Sequence, residues 1–315
     1  MSKLNIAVLG YGHLGKWHCQ KVEACDESNL FAIVEPFEAN KKIAKENHPN
    51  AKIVDDINEV INDIDAGVIV TPTSTHFELS KYLLENNKHI FCEKPLCSNM
   101  EQVNELKPLI KKDKVFQVGH SERCHKVWDL LSADFNAIEG AALLDLNRVA
   151  EFKGRATDVD VVQDLMIHDL DLVFYNFKKE LVKIKAFGHK IRTDKWDHVT
   201  AILEFSDGSM AKVTSGRNHV KEIRSMEVMS DNGCIYVDLF ENSYSIGSKG
   251  EAIDGEFVKK QSYEKRDHLL IEHQNFYQTI LGKQDVMVSF DDGAKIVGLI
   301  DNVLESLETN KEILF

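Results

Sequence analysis

The chain has 315 residues, 43% hydrophobic and 28% charged, with 51 acidic against 38 basic side chains and a formal net charge of −13. At roughly 150 residues per domain the length predicts two domains, and the apolar content excludes a disordered chain. The acidic balance excludes a general affinity for nucleic acid or an anionic membrane, since both need a basic surface, and no apolar run approaches the roughly 20 residues of a membrane span.

At the N-terminus, Met1-Ser2-Lys3 leads directly into Leu4-Asn5-Ile6-Ala7-Val8-Leu9, which is too short for a signal peptide and lacks a cleavage site. The same apolar run is expected of a strand buried on both faces in a parallel sheet. Next comes Gly10-Tyr11-Gly12-His13-Leu14-Gly15, a helical stretch over about 16–24 and a second apolar strand, Leu30-Phe31-Ala32-Ile33-Val34, that ends at Glu35. GxGxxG alone is a weak signal. Here it has the strand, turn, helix, strand and acid of a dinucleotide site, with the acid 35 − 15 = 20 positions after the last glycine. Gly10 permits the tight turn, Gly12 lets a pyrophosphate approach the backbone, and Gly15 lets helix and strand pack closely. The helix N-terminus offers N–H groups to phosphate. Glu35 can accept both hydroxyls of an adenosine ribose and repels a 2′-phosphate, so NAD is favoured over NADP. The nearby Lys41 and Lys42 act against that preference.

Strand and helix then alternate. Strands are expected at 52–54, 66–70, 88–92 and 115–119, and helices at 57–62, 77–86 and 100–111. This alternation builds a doubly wound parallel sheet whose ligands bind at the C-terminal strand ends. Thr71-Pro72, followed by His76, and Glu93-Lys94-Pro95 fall at such ends and are expected to face the cofactor. Proline biases Lys94 towards an extended backbone that aims its ammonium; a surface lysine paired with Glu93 is the alternative.

Further along, a helix over about 159–177 has an unusual wheel. With roughly 100° per residue, Val162, Leu170, Val173 and Phe177 fall within about 40° of Met166. Asp164, His168 and Asp171 lie opposite, within about 60° of one another. A solvated amphipathic face is one reading. Against it, Val161, Leu165, Ile167 and Leu172 flank the polar arc, so the helix is apolar most of the way round and its polar window is expected to face a cavity. Asp164 and His168, at i and i+4, can meet; a carboxylate beside an imidazole fixes its tautomer and raises its basicity.

Beyond residue 120 the pattern becomes serial. Expected strands at 141–152, 182–187, 199–205, 210–215, 225–229 and 234–239 include two hairpins, around Ser206-Asp207-Gly208-Ser209 and Asp231-Asn232-Gly233, which predict an antiparallel sheet. Helices are expected at 268–281 and 293–307. Six cysteines (19, 25, 92, 97, 124 and 234) form no Cys-x-x-Cys pair and no cluster at zinc spacing, which suits a reduced, cytoplasmic protein without metal. Arg123 is a candidate for substrate contact or for a surface salt bridge. His120, His125, His198 and His219 are weaker candidates for lining a pocket.

Together, the glycine motif, Thr71-Pro72 with His76, Glu93-Lys94-Pro95 and Val162-Gln163-Asp164-Leu165-Met166-Ile167-His168-Asp169-Leu170-Asp171 resemble the Gfo/Idh/MocA family of sugar and polyol oxidoreductases, along nearly the whole chain. The resemblance implies an α/β protein: a Rossmann domain, here 1–120, and an α+β domain with a large, mainly antiparallel open sheet, here 121–315. The second domain would bind substrate and make a homo-oligomer, a dimer or tetramer, through that sheet. The resemblance also implies that Lys94, Asp164 and His168 form the catalytic set, with Arg123 and Asp171 near substrate. Glycine stands in many members where this chain has Met166. The variant resembles the subgroup acting on nucleotide-linked amino sugars of the UDP-N-acetylglucosamine type. A free sugar or polyol dehydrogenase and a non-catalytic NAD-binding sensor are the other readings.

Overall fold

The computed structural model describes residues 3–248 and 258–315; Met1 and Ser2, read above with the N-terminus, lie outside them. Two compact units are present, Met1–Ser121 with Asp267–Val297, and Glu122–Arg266 with Gly298–Phe315. The expected ranges 1–120 and 121–315 therefore differ from these units in two respects: Ser121 and residues 267–297 group with the first.

In the first unit the strands are β1 (Leu4–Leu9), β2 (Ser28–Val34), β3 (Lys52–Val54), β4 (Ala66–Ile69), β5 (His89–Glu93) and β6 (Phe116–Gly119). They form one sheet in the order β3-β2-β1-β4-β5-β6, parallel throughout. Its helices are α1 (His13–Ala24), α2 (Glu38–Asn47), α3 (His76–Glu85) and α4 (Met100–Leu106). α1 starts three residues earlier than expected, because the chain turns into helix directly at Gly12. α4 stops at Leu106 and gives way to a 3₁₀ turn, Lys107–Leu109, where Pro108 cannot donate to the helical ladder. The apolar strands bury both faces, with Ile6, Ala7, Val8, Ile33, Val68 and Phe91 inaccessible to solvent, as a parallel sheet covered by helices requires.

The returning segment completes this unit. α7, the helix His268–Ile280 numbered here in chain order after α5 and α6 below, packs on α1. Val288 O accepts from Val118 N at 3.1 Å, so the stretch after α7 lies along the edge of β6.

The second unit carries a nine-stranded sheet. Its strands are β7 (Leu143–Val149), β8 (Leu181–His189), β9 (His198–Phe205), β10 (Met210–Gly216), β11 (Ile223–Ser230), β12 (Gly233–Asp238), β13 (Ser243–Ser248), β14 (Val258–Ser262) and β15 (Ile313–Leu314). The order is β14-β13-β12-β11-β7-β10-β9-β8-β15. Only β7 and β10 run parallel; both expected hairpins form. Its helices are α5 (Lys126–Asn136) and α6 (Ile167–Asn176). α6 packs on β7 and β10, where Ile167, Leu170, Leu172 and Val173 are fully buried, each contributing about 1.5–3 kcal/mol of transfer free energy. α8 (Phe290–Thr309) begins in the first unit and ends in the second.

Candidate active site

The cofactor cradle is built at the C-terminal ends of β1, β2 and β4. Gly10 adopts φ +97°, and a Cβ there would stand 2.9 Å from the Val70 carbonyl oxygen. At Gly15 a Cβ would stand 2.2 Å from the Gly10 oxygen, so this glycine permits the helix to sit against the turn. A Cβ on Gly12 would meet nothing within 4 Å; the bareness of Gly12 serves space outside the protein's own packing. His13 and Leu14 follow as exposed residues in the first turn of α1.

A cavity of about 690 Å³ opens beside this turn. Gly10, Gly12, Glu35, Thr71, Pro72 and Thr75 are among the residues that line it. Glu35 is 3% exposed. Its carboxylate accepts from Tyr11 N and Phe37 N, each at 2.9 Å, and from Asn40 Nδ2 at 3.2 Å. Glu35 is thus fixed at the end of β2 with its oxygens on the cavity wall. The Lys41 ammonium is engaged elsewhere, held by Asp55 and by Glu38, which raise its pKa.

His76 is fully enclosed, its Nδ1 2.8 Å from Pro95 O and its Nε2 3.0 Å from Thr71 O. It joins the Thr71-Pro72 turn to the Glu93-Lys94-Pro95 turn, whose Lys94–Pro95 peptide is cis. Burial lowers the pKa of His76 despite both carbonyl contacts. This is a bracing position beneath the cavity, not the direct cofactor contact expected from its place in sequence. Glu93 Oε2 accepts from Lys94 N at 3.2 Å, and Oε1 lies 3.1 Å from His18 Nε2. Burial raises the Glu93 pKa, but the bond to His18, its charge and that of Lys94 outweigh this and hold the carboxyl below its ordinary value. Lys94 itself is partly exposed at the strand end.

In the second unit, the turn before α6 is a π-helix, Val162–Met166. The expected α-helical wheel assumed i→i−4 bonding throughout. The wider i→i−5 turn changes the register between Asp164 and His168, and such turns are frequent at functional sites. Asp164 and His168 are both partly exposed, whereas Met166, the residue departing from the family glycine, is fully buried.

Asp171 is also fully buried, and Arg123 grips it with two bonds, Nε to Oδ2 at 2.8 Å and Nη2 to Oδ1 at 2.6 Å. The Arg123 guanidinium also lies over the Tyr175 ring at 5.0 Å. The structure thus joins these two expected substrate contacts to each other, in a buried pair that anchors α6. A second buried pair was not foreseen. Arg148 Nε and Nη2 bond the Asp169 carboxylate at 2.9–3.1 Å, and Arg148 Nη2 reaches Glu122 at 3.1 Å. Burial raises the Glu122 pKa, but Arg148, then His125 and His168, pull it well below its ordinary value. His168 is therefore close to an ionised carboxylate that is not on its own helix.

A cavity of about 70 Å³ opens beside Asp164, with Arg148, Lys153, Arg155, Arg217 and Arg224 on its walls. These cations had no sequence signal, since they come from a loop and three strand ends brought together only by the sheet. Of the weaker candidates, His120 and His125 are buried and His198 packs against Gly216; none of the three lines this cavity.

Residues 4–120 match the model of an oxidoreductase family with an NAD-binding Rossmann fold, and residues 143–236 match the Gfo/Idh/MocA C-terminal domain. The UDP-N-acetylglucosamine 3-dehydrogenase of Acidithiobacillus ferrooxidans is 30% identical over 98% of both chains. The chain belongs to the Gfo/Idh/MocA family. The myo-inositol 2-dehydrogenase of Thermotoga maritima is 24% identical, again over 98% of both chains. A solved structure of the A. ferrooxidans enzyme superposes with a TM-score of 0.88 at 29% identity, covering 98% of this chain and 99% of that one. As a Gfo/Idh/MocA protein, the chain is an NAD-binding oxidoreductase acting on sugar or polyol hydroxyls. The cradle fits that cofactor. The gap at Gly12 suits a pyrophosphate, and the Glu35 carboxylate suits an adenosine ribose, while Thr71 and Pro72 form the far wall. Among the described residues no helix is long and apolar enough to cross a membrane.

Proposed function

We propose that this enzyme oxidises a ring hydroxyl of a nucleotide-linked amino sugar of the UDP-N-acetylglucosamine type. The observation that carries the substrate class is the end-to-end likeness to a UDP-N-acetylglucosamine 3-dehydrogenase, 30% identical against 24% for the myo-inositol enzyme.

In this reading His168 takes the hydroxyl proton as general base, and Asp164 orients it. Lys94 donates a hydrogen bond to the same oxygen and stabilises the negative charge that develops there. The bound nicotinamide supplies the hydride acceptor. Arg123 and Asp171 hold α6 in place and do not themselves contact the sugar. A homo-oligomer formed through the nine-stranded sheet is part of the proposal. Supporting it, Leu143, Met210 and Met229 are 50%, 38% and 42% exposed and paired on adjacent strands. A cytoplasmic location is proposed from the six free cysteines.

The test is steady-state turnover with UDP-N-acetylglucosamine and NAD for the wild type and His168→Ala. Turnover is expected to fall about 100-fold or more while NAD affinity persists; full activity in the variant refutes the general base. A specific observation, the full-length match to an inositol enzyme, favours a free polyol as the second reading. NADH formed from myo-inositol but not from the nucleotide sugar would establish that reading instead.

A further inference from the structure

Behind Glu93, four polar side chains are enclosed in the first unit. His18, His273 and Tyr277 are each 0% exposed and Ser28 is 2% exposed. His18 Nε2 lies 3.1 Å from Glu93 Oε1, His18 Nδ1 lies 3.0 Å from His273 Nε2, and His273 Nδ1 lies 2.8 Å from Tyr277 Oη. Three elements supply this chain, α1, the end of β5, and α7 returning 255 positions after His18. Packing alone does not call for two histidines and a tyrosine joined head to tail, since buried polar groups are costly unless each bond is made.

Proton directions follow from valence. Burial, with the charges of His18 and Lys21, holds the His273 pKa well below its ordinary value, so this ring carries one proton. Burial keeps Tyr277 as the hydroxyl. His18 Nε2–H donates to Glu93 Oε1, since a carboxylate only accepts. Behind it each bond holds one proton and the two point the same way along the chain, towards Glu93 when His18 is neutral, and from His18 Nδ1–H to His273 Nε2 and from His273 Nδ1–H to Tyr277 Oη when His18 is charged. Gly119 makes room for the acceptor, since a Cβ there would stand 2.8 Å from Glu93 Oε1.

We propose that His18, His273 and Tyr277 are a buried relay of positioning residues that fixes the Glu93 carboxylate and, through its bond from Lys94 N, the placement of Lys94. The proposal rests on the reading of Lys94 as a catalytic residue. It assigns a functional reason to the return of α7, which nothing in the Rossmann motif requires. The groups facing the relay are Lys94, His76 and Cys92 around Glu93, Lys21 and the adjacent Glu272 around His273, and Cys19 and Cys25 around Tyr277.

The experiment compares His18→Leu, His18→Gln and Tyr277→Phe by the pH profile of kcat/KM. It adds a ¹³C titration of the Glu93 carboxyl in the NAD-bound protein, assigned by loss of its resonance in Glu93→Gln. Without the donor, burial dominates, so Glu93 protonates at higher pH. In His18→Leu the Glu93 titration and the acid limb are both expected to move up by about 1–2 pH units. His18→Gln, which keeps a donor, restores most of the shift, and Tyr277→Phe moves it in the same direction by less. Should His18→Leu fail to fold, Tyr277→Phe and His18→Gln still decide. A Glu93 titration unchanged in Tyr277→Phe and His18→Leu overturns the relay. Wild-type turnover in Lys94→Ala overturns the Lys94 reading instead, and the carboxyl titration then reports on the relay alone.

Discussion

Gly12→Ala separates cofactor binding from folding. At Gly12 the backbone is extended, φ −73° and ψ −157°, and an added Cβ meets no protein atom within 4 Å. Where the backbone accepts alanine, this exchange stabilises by about 0.4–1 kcal/mol through the unfolded chain, so the cofactor-free melting temperature is expected to hold or rise slightly. With NAD present, the methyl occupies the space through which the pyrophosphate approaches. Forcing an extra carbon into a packed contact costs about 1–3 kcal/mol, so the Kd rises about 5- to 150-fold. At an NAD concentration 100 times the wild-type Kd, the cofactor stabilises the wild type by about 2.7 kcal/mol. A thirtyfold weaker variant retains about 0.9 kcal/mol under the same conditions. Differential scanning calorimetry with and without NAD, together with titration calorimetry, reads both quantities. A Kd within twofold of wild type, or a cofactor-free melting temperature several degrees lower, refutes the reasoning. Gly15→Ala is the opposite case: its Cβ would lie 2.2 Å from the Gly10 oxygen, so it damages the fold itself.

Glu35→Ser removes the ribose acceptor and leaves Tyr11 N and Phe37 N without their partner; NAD affinity is expected to fall about tenfold and the preference over NADP to shrink, read by titrating both cofactors. Arg123→Met removes both guanidinium bonds from the buried Asp171 carboxylate, so a loss of about 3–5 kcal/mol is expected in denaturant unfolding, largely recovered by adding Asp171→Leu; a raised KM with unchanged stability would make Arg123 a substrate contact instead. Asp197 is fully buried and accepts from Ile191 N, Arg192 N, Thr193 N and Arg217 Nε at 2.6–2.9 Å. Burial raises its pKa, but these bonds pull it far below the ordinary carboxylate value. Its stabilisation is therefore present above the unfolded value of about 4 and lost as pH falls through the lower folded value; Asp197→Ala should flatten that acid dependence of unfolding, and an unchanged slope counts against the assignment.

Local signals were legible, and long-range ones were not. The strand, glycine turn, helix and acid of the cofactor cradle occupy residues 4–35, so pattern and function coincide within one stretch. α7 reads as a helix from its own periodicity, yet nothing in residues 268–280 says which sheet it joins, and that choice brings His273 to His18. Likewise Arg123, read as a substrate contact or a surface salt bridge, and Asp171, placed near substrate by the resemblance, lie 48 positions apart, and no local pattern joins them. Their mutual grip depends on how α6 docks against the turn that contains Arg123. The π-turn at Val162–Met166 escaped for a different reason. An i→i−5 bond is a property of backbone packing, and no residue type in this segment marks it, so a wheel at constant angle was the only available expectation.

The same helix also resolves whether its polar arc faces solvent. A surface helix would expose its charged residues alike. Here Asp169 and Asp171 are buried, each gripped by an arginine, while Asp164 and His168 remain partly exposed. A buried ion pair adds little net stability, because desolvating both charges offsets their attraction, but its bidentate geometry fixes rotation and translation together. Two such pairs on opposite sides of α6 therefore do more to orient the helix than to stabilise it, and what they orient is the Asp164/His168 turn. Lys94 stands in an equivalent position in the first unit, at a strand end backed by the enclosed chain of Glu93, His18, His273 and Tyr277. Each proposed catalytic group is thus partly exposed on a buried polar support, the arrangement that pre-organises a site before substrate arrives. The cofactor cradle relies on bare glycines and a helix end where charge is not needed, so a chain of net charge −13 can hold a pyrophosphate and keep its buried arginines for the helix that carries the base.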